Sequence, residues 1–364
     1  MKLTRPVALA ATLTAGVLVL AACSSGSDSG STTSGAAGSA DCVSGSIKAS
    51  GSSAQANAMT EWINGYQTQC PDATIEYQPN GSGAGVQDFI NAQTSFAGSD
   101  SAIKDEDLTK ATERCSAGPA INIPMVGGAI AVAYNLEGVD SLVMTPDVIA
   151  GIFANTITKW NDPAIADLNP GATLPDASIA QFHRSDSSGT TDNFTKYLAA
   201  AAPTAWTFEP GKDWLAPGGQ GSKGSDGVTS SVKSTPNSIG YVELSYIQDA
   251  GLGAVAVDNG GGAVEATSEN AATTISAAEV TGTGNDLTLS LDYTIKEANA
   301  YPIVLLTYEI TCEKGLPADQ LDLTKSFLKY AASDGQSILT EIGYVPITGD
   351  LLTKVQASVD ALSS

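Results

Sequence analysis

The stretch ASIAQFHRSDSSGTTDNFTKYLAAAA, residues 177–202, contains a strand pattern, a Ser/Gly turn and a helix pattern in direct succession. The strand pattern ends at His183, the turn is DSSGT, and FTKYLAAAA is helical in composition. Two similar turns, SGSSA at 50–54 and NGSGAG at 80–85, also follow strand patterns and precede helix patterns. Strands that alternate with helices in this way predict an α/β fold with a mainly parallel sheet.

The rest of the chain extends the α/β pattern. The segment Ala120–Leu136 is long and apolar, and Thr145 followed by Pro146 marks the start of a further helix. We expect a Gly-rich loop over Trp206–Gly227, whereas residues 259–300 carry no pattern that assigns their structure. At about 150 residues per domain, a chain of 364 residues is long enough for two lobes.

The charge of the chain limits its partners. Of the 364 residues, 42% are apolar and 15% are charged, and the formal net charge is −22. Nucleic acid is excluded as a partner because its phosphates require a basic protein surface. A charge of this sign also opposes the steering of anions from long range.

The N-terminus has the features of an export signal. Two basic residues precede the apolar run PVALAATLTAGVLVLAAC, which is too short for a membrane span. Its end, LAAC, resembles a bacterial lipobox, in which the cysteine is lipidated and becomes the first residue. We predict a signal peptide at residues 1–22, a lipid on Cys23 and a flexible tether over 23–45. Ordinary secretion with a chance cysteine is the alternative.

The four remaining cysteines are an even number in an exported chain, which indicates two disulfides. Three pairings are possible. Cys42 and Cys70 flank the first strand and helix, and this favours a Cys42–Cys70 bond with Cys115–Cys312 as the second. The spacings match no zinc pattern, and the single histidine makes a metal site an unfavourable interpretation.

The three Ser/Gly turns are candidate anion sites. A helix N-terminus leaves several N–H groups without partners and carries about half a positive charge, so glycines let an anion approach the backbone there. Serine is also a common helix cap with no ligand, so a single turn of this kind indicates little. The hydroxyls that add donors at the three turns are Ser53, Ser82, Ser188 and Thr190.

Arg184 is the only base beside these turns, and its planar fork suits two oxygens of a tetrahedral oxyanion. Asp186 is placed to hold that fork, although a surface Arg–Asp pair without function would give the same pattern. Enzyme motifs fail on spacing. Val86 replaces the third glycine of a GxGxxG motif, the segment GGQGSKGS lacks the adjacent Gly-Lys pair of a P-loop, and His183 lies near no GxSxG elbow.

The chain resembles the phosphate-binding proteins that serve bacterial phosphate ABC importers, specifically the lipid-anchored form. The similarity runs from about Ile47 to Ile347. It rests on the motifs YQPNGSGAG, FAGSD, ITKWNDPAIADLNPG, HRSDSSGT, GSKGSDG and SIGYVE, in that order. The resemblance implies a two-lobe periplasmic-binding-protein fold of type II, with a mainly parallel sheet in each lobe and a two-segment hinge.

The resemblance also implies a ligand site. Ser53 stands where the family often has threonine, and Ala54 where it often has an aromatic residue. A carboxylate in the site accepts the proton of hydrogen phosphate, whereas sulfate has no proton to give, so the carboxylate would select between the two anions. The implied phosphate-binding residues are Ser53, Ala54, Ser82, Asp100, Arg184, Ser188, Gly189 and Thr190, with Asp186 orienting Arg184.

The implied protein is a monomeric receptor that catalyses nothing, needs no cofactor or metal, and passes inorganic phosphate to membrane permease subunits. Its only membrane contact would be the lipid on the extracytoplasmic face. Lobe I would comprise residues 46–133 and 302–364 and lobe II residues 134–301, with a hinge near Ala133–Asn135 and Ala300–Pro302. The alternatives are a receptor for another oxyanion, a secreted phosphatase with a DSS serine nucleophile, and an adhesive lipoprotein.

Overall fold

The computed structural model describes residues 42–248 and 250–364. The predicted signal peptide, the lipidation site Cys23 and most of the predicted tether lie outside the described residues. The strands are β1 (Gly45–Gly51), β2 (Ala73–Gln78), β3 (Phe96–Ser99), β4 (Ala120–Asn135), β5 (Leu142–Met144), β6 (Ala180–Arg184), β7 (Gln220–Ser222), β8 (Ser238–Glu243), β9 (Gly253–Asp258), β10 (Ala263–Val264), β11 (Glu279–Val280), β12 (Leu289–Ser290), β13 (Val304–Cys312) and β14 (Val345–Pro346).

The helices pack on this framework of strands. The predicted start of a helix at Thr145 and Pro146 is confirmed, because Thr145 is the N-cap and Pro146 the first helical residue. In the described residues, no helix is both long and apolar enough to span a bilayer. The helices are α1 (Ala56–Gln69), α2 (Ser82–Ile90), α3 (Asp105–Cys115), α4 (Pro146–Phe153), α5 (Pro163–Ala166), α6 (Gly189–Ala201), α7 (Gly224–Ser234), α8 (Ser268–Ser276), α9 (Ala318–Ala331) and α10 (Gly349–Asp360).

Two groups of strands share β4, and they form the two lobes of a periplasmic-binding-protein fold. Over Ala120–Ala129, β4 pairs antiparallel with β13, which continues to β3, β1 and β2 in lobe I. From Ile130 to Asn135, the same strand pairs antiparallel with β8, which continues to β6 and β7 in lobe II. The strands that alternate with helices are parallel as predicted. The ladders of β4 with β13, β8, β9 and β14 are antiparallel, so the sheet is mixed rather than mainly parallel. The fold class predicted from the sequence is confirmed.

Two segments contain more structure than the sequence pattern predicts. The expected loop over Trp206–Gly227 includes strand β7 and the start of α7. Residues 259–300, which showed no pattern, contain α8 and the short β11–β12 hairpin. These strands have two residues each, so they are too short to produce a detectable alternation.

Both favoured disulfides are confirmed. The Cα atoms are 5.2 Å apart in Cys42–Cys70 and 5.3 Å apart in Cys115–Cys312. The first bond joins Cys42, just before β1, to Cys70 at the end of α1, and the second ties α3 to β13. Both bonds therefore join segments on the β13 side of β4.

Two glutamates are fully buried in the strands that meet β4. Glu309 lies in β13 and Glu243 ends β8, and both side chains are inaccessible to solvent. Burial raises the pKa of each to about 8, and the nearby Asp100 adds to both shifts. Each glutamate therefore keeps its proton in the folded protein at a pH where the unfolded chain has lost it.

This proton retention predicts a pH-dependent stability. Between the unfolded pKa of about 4.5 and the folded value of about 8, the folded state binds more protons, so the free energy of unfolding falls as pH rises through this window. In Glu309→Gln, the decrease in the free energy of unfolding between about pH 5 and 9 should be smaller than in the native protein by about 2 to 5 kcal/mol. Urea unfolding at several pH values measures this decrease. The exposed Glu341→Gln is the control. Parallel pH profiles for native protein and Glu309→Gln would contradict the prediction.

Candidate anion-binding site

Asp100 is the centre of the candidate site. It follows β3, its residue is 3% exposed, and its Oδ1 accepts hydrogen bonds from the hydroxyls of Ser52 and, at 2.9 Å, Thr307. Its Oδ2 accepts from the Thr190 hydroxyl at 3.1 Å. Burial raises the pKa of Asp100, and the three hydroxyls and the charge of Arg184 offset part of that rise. The carboxyl group thus has both oxygens held by donors from lobe I and lobe II.

Arg184 ends β6 and is 2% exposed. Its Nε donates to Asp186 Oδ1 at 2.8 Å and its Nη2 donates to Asp186 Oδ2 at 2.5 Å. Asp186 also accepts from the backbone N–H of Gly224 at 3.0 Å. Burial alone would raise the pKa of Asp186, but the hydrogen bonds and charge of Arg184 and the Gly224 N–H together lower it. The predicted Arg184–Asp186 pair is present, and its two hydrogen bonds use Nε and Nη2.

The serines of the three Ser/Gly turns accept hydrogen bonds from backbone N–H groups. Ser82 Oγ accepts from Asp100 N at 3.2 Å, Ser188 Oγ from Thr191 N at 3.2 Å, and Ser53 Oγ from Ser225 N at 3.0 Å. A hydroxyl that accepts through a lone pair still has its own proton to donate. These fixed serines can therefore direct O–H groups at an anion, and Ser188 also caps α6.

The two lobes are in contact around the site. Gly83 N donates to the carbonyl oxygen of Ser187 at 3.0 Å, and the hydroxyls of Ser53 and Ser225 are 3.0 Å apart. Gly189, the first residue of α6, is packed so closely that an added Cβ would lie 2.6 Å from Asp100 Cβ and 2.7 Å from Ser82 Oγ. The absence of a side chain at position 189 is a condition for this approach.

That packing makes Gly189→Ala a test of lobe contact. The methyl group would force Asp100 or Ser82 away, and overpacking of this kind costs about 1 to 3 kcal/mol, or about 5- to 150-fold in anion affinity. Calorimetric titration with phosphate measures the loss. Gly171→Ala is the matched control, since a Cβ there meets nothing within 4 Å. Equal affinities for the two variants would show that the lobes do not close at Gly189.

An open cleft of about 730 Å³ borders Asp100. Its lining also includes Ser187, Lys212 and Asp213. Tyr293, from the segment whose structure the sequence left unassigned, also lines it and donates to Asn193 Oδ1 at 2.6 Å. Of the eight predicted binding residues, Asp100 alone lines this cleft.

Comparison with known proteins identifies the family. The model of the PBP superfamily domain matches residues 32–335. Phosphate-binding protein PstS 3 of Mycobacterium tuberculosis is 42% identical over 371 residues, covering all of both chains. The chain belongs to the family of the phosphate-binding proteins PstS. The protein of the same name from Mycobacterium leprae is 41% identical over 321 residues and covers 87% of each chain.

Solved structures support the fold of this PstS family member. The phosphate-binding protein of Stenotrophomonas maltophilia superposes with a TM-score of 0.66 at 18% identity, over 86% of this chain and 94% of that one. At this identity the likeness establishes the two-lobe fold alone.

The structure of this PstS family member brings most of the predicted residues together. Ser82 and Thr190 hydrogen-bond to Asp100, Gly189 packs against it, and the charge of Arg184 acts on it. Two predicted donors already have internal acceptors: the N–H of Ala54 donates to Ser52 Oγ at 3.0 Å, and the Thr190 hydroxyl donates to Asp100.

Sequence reasoning missed four residues of the cluster. Ser52 stands beside the predicted Ser53, and the GSKGSDG turn that supplies Ser225 has the same strand–turn–helix design as the other three, so both carried a detectable signal. Thr307 lies inside an apolar strand and Asn193 in the first turns of α6, where Nδ2 donates to the carbonyl oxygen of Asp100 at 2.7 Å. No local pattern distinguishes these two.

Proposed function

We propose that this protein binds inorganic phosphate outside the cytoplasm and delivers it to the permease of a phosphate ABC importer. The observation that carries the proposal is the buried carboxyl group of Asp100, held at an interlobe contact beside Arg184 and the turns of Ser82 and Ser188. Membership of a family whose relatives are named phosphate-binding proteins supports it. An anion that carries a proton can accept hydrogen bonds from the donors of this arrangement and donate one to the Asp100 carboxylate.

The proposed ligand set consists of groups that donate hydrogen bonds to phosphate and one group, Asp100, that accepts a hydrogen bond from it. Nη1 of Arg184 and the hydroxyls of Ser53, Ser82 and Ser188 donate to phosphate oxygens, as do backbone N–H groups at the N-terminus of α6 that include Gly189 and Thr190. Ala54 N and the Thr190 hydroxyl join them if they exchange their present acceptors for the ligand. Asp100 accepts the remaining proton of hydrogen phosphate. Asp186 acts through Arg184 and is a positioning residue.

The carboxyl group explains a preference for phosphate over sulfate. When both Asp100 and the anion are acceptors, no hydrogen lies between them, and a buried pair of that kind costs about 1 to 3 kcal/mol or more. Hydrogen phosphate avoids the cost because it carries the missing hydrogen. Arsenate has the same shape and protonation, so these contacts do not reject it.

Lobe boundaries, anchoring and assembly complete the proposal. Lobe I is residues 46–133 with 302–364 and lobe II is residues 134–301, and support comes from the change of partner along β4. A lipid on Cys23 holds the monomer at the membrane. The proposed role is that of a receptor without catalysis, and two contacts support it: Ser188 of the DSS segment caps α6, and the ring of His183 stacks on Trp214 with centroids 4.9 Å apart.

Phosphorus NMR of the protein purified without added phosphate, followed by calorimetry of the dialysed protein, tests this function. The expected result is tight binding of orthophosphate, no measurable binding of sulfate and no hydrolysis of a chromogenic phosphate ester with zinc or magnesium. Comparable sulfate affinity would overturn the role of Asp100. Ester hydrolysis would favour the phosphatase, and no effect of phosphate on thermal unfolding would favour the adhesive lipoprotein.

A further inference from the structure

The cleft beside Asp100 is lined by twice as many acids as lysines, six against three. Hydrogen phosphate is a dianion near neutral pH, and like charges repel each other more strongly in a partly buried cleft than in bulk water. Passage along an acidic cleft is therefore slow unless a cation compensates. The acidic residues that line the cleft besides Asp100 are Asp105, Glu106, Asp107, Asp192 and Asp213.

Three lysines line the same cleft, and they differ in how their charge is used. Lys196 forms an ion pair with Asp192 at 2.5 Å, which neutralises it. Lys104 is exposed on the lobe I side, directly before the three acids that begin α3. Lys212 is half-buried, and in the described parts of the chain no carboxylate forms an ion pair with its ammonium group.

The backbone fixes Lys212 beside the proposed phosphate site. Its carbonyl oxygen accepts from the N–H of Ser188 at 2.9 Å, and Ser188 is the N-cap of α6. The preceding Gly211 donates from its N–H to Thr195 Oγ1 at 3.1 Å, in the second turn of the same helix. The loop that carries Lys212 is thus bound to α6 at two points, so the ammonium group stays in the cleft rather than moving with a free loop.

Different neighbours of Lys212 shift the pKa of its ammonium group in opposite directions. Burial lowers the pKa of the ammonium group, whereas the charges of Asp192, Asp107 and Asp100 raise it, and the charge of Lys196 adds to the lowering. Lys212 and Asp100 line the same cleft, together with Asp107 and Asp192.

We propose that Lys212 is the cation that draws hydrogen phosphate through the acidic cleft to Asp100 and Arg184, so that it sets the rate of association. The inference rests on the proposed phosphate-binding function. Arg184 and the turn hydroxyls hold the bound anion, so the loss of Lys212 affects arrival more than departure. Electrostatic attraction of this kind acts over about 8 to 10 Å at physiological salt and weakens as salt is added.

The experiment measures association and dissociation rates of ³²P-labelled orthophosphate by rapid mixing and filtration on the full chain. At an ionic strength of about 20 mM, Lys212→Met should lower the association rate about 3- to 10-fold, and the difference should vanish near about 500 mM. The dissociation rate should stay within about twofold of the native value, since the holding contacts are intact. Lys212→Arg should restore the native rate, and Lys212→Glu should slow association further.

Lys354→Met is the matched control, because it removes the same charge from an exposed lysine in α10, outside the cleft lining. An unchanged association rate for Lys212→Met at low salt would overturn the inference, and so would a change confined to dissociation, while phosphate binding itself would stand. If the native chain does not bind phosphate, the proposed function and the inference both fail. Lys212→Gln provides a second neutral variant should Lys212→Met fold poorly.

Discussion

Replacement of Arg184 with alanine is expected to weaken phosphate binding by about 2 to 5 kcal/mol, which is about a 30- to 5,000-fold rise in Kd. Arg184 is 2% exposed and is the cation at the centre of the proposed ligand set. Without it, the bound dianion keeps only neutral donors in a site from which water is largely excluded. Calorimetric titration with orthophosphate measures the loss.

Variants of Asp186 and Arg184 distinguish contact with the anion from positioning of the Arg184 guanidinium. Asp186→Asn leaves the Arg184 charge in place and weakens its two anchoring bonds, so its effect should be smaller than that of Arg184→Ala. Arg184→Lys keeps the charge without the planar fork and should fall between the two. This order of effects would distinguish recognition of the anion by Arg184 from a simple requirement for positive charge.

The removal of Arg184 also leaves the Asp186 carboxylate, with a side chain 12% exposed, without its ion-pair partner. A thermal unfolding scan of each variant therefore accompanies the titrations, and Arg184→Ala combined with Asp186→Ala removes both charges together. Arg114→Ala is the control for the loss of a guanidinium, since Arg114 stacks on Phe89 in lobe I. A loss of affinity below tenfold in folded Arg184→Ala would contradict the assignment of the ligand residues.

Short-range patterns made much of this site predictable. Arg184 and Asp186 are two residues apart at the end of a strand, so the sequence itself fixes their proximity, and their bidentate contact is present. The Ser/Gly turns place Ser82 and Ser188 at helix N-termini by local backbone geometry. Local position also favoured the Cys42–Cys70 bond, and Cys115–Cys312 followed as the remaining pair.

The unpredicted part depends on sheet pairing and side-chain direction. Thr307 is 207 residues from Asp100 and reaches it only because β13 pairs with β3. Ser52 and Ser53 are adjacent, and the pattern SGSSA does not indicate which hydroxyl faces the carboxyl group. In the structure, the Ser52 hydroxyl donates to Asp100, and the Ser53 hydroxyl accepts from the N–H of Ser225 at the start of α7. Periodicity identifies which residues are buried. It does not predict these contacts, because they depend on how strands far apart in the sequence pair.

Substitution of Asp100 with asparagine is expected to change which anion the protein accepts. Asparagine keeps the shape and can donate from Nδ2 to a sulfate oxygen, so the acceptor–acceptor mismatch disappears. The ratio of the sulfate Kd to the phosphate Kd should fall by about 10- to 100-fold, the equivalent of about 1 to 3 kcal/mol. Competition titrations with both anions measure the ratio. Asp192→Asn, a loss of the same charge in the cleft lining, is the matched control.

The raised pKa of Asp100 also predicts that the selectivity for phosphate over sulfate depends on pH. The carboxylate selects against sulfate only while it is ionised, so selectivity is present above its folded-state pKa and is lost as pH falls through that value. Because burial raises the pKa of Asp100, the native ratio should decline as pH falls through a range in which an unperturbed aspartate, with a pKa of about 3.9, would stay ionised. Asp100→Asn has no proton to gain and should show a flat ratio. A native ratio that is equally flat, or an Asp100→Asn variant that still rejects sulfate, would remove the carboxyl group from the selection of the ligand.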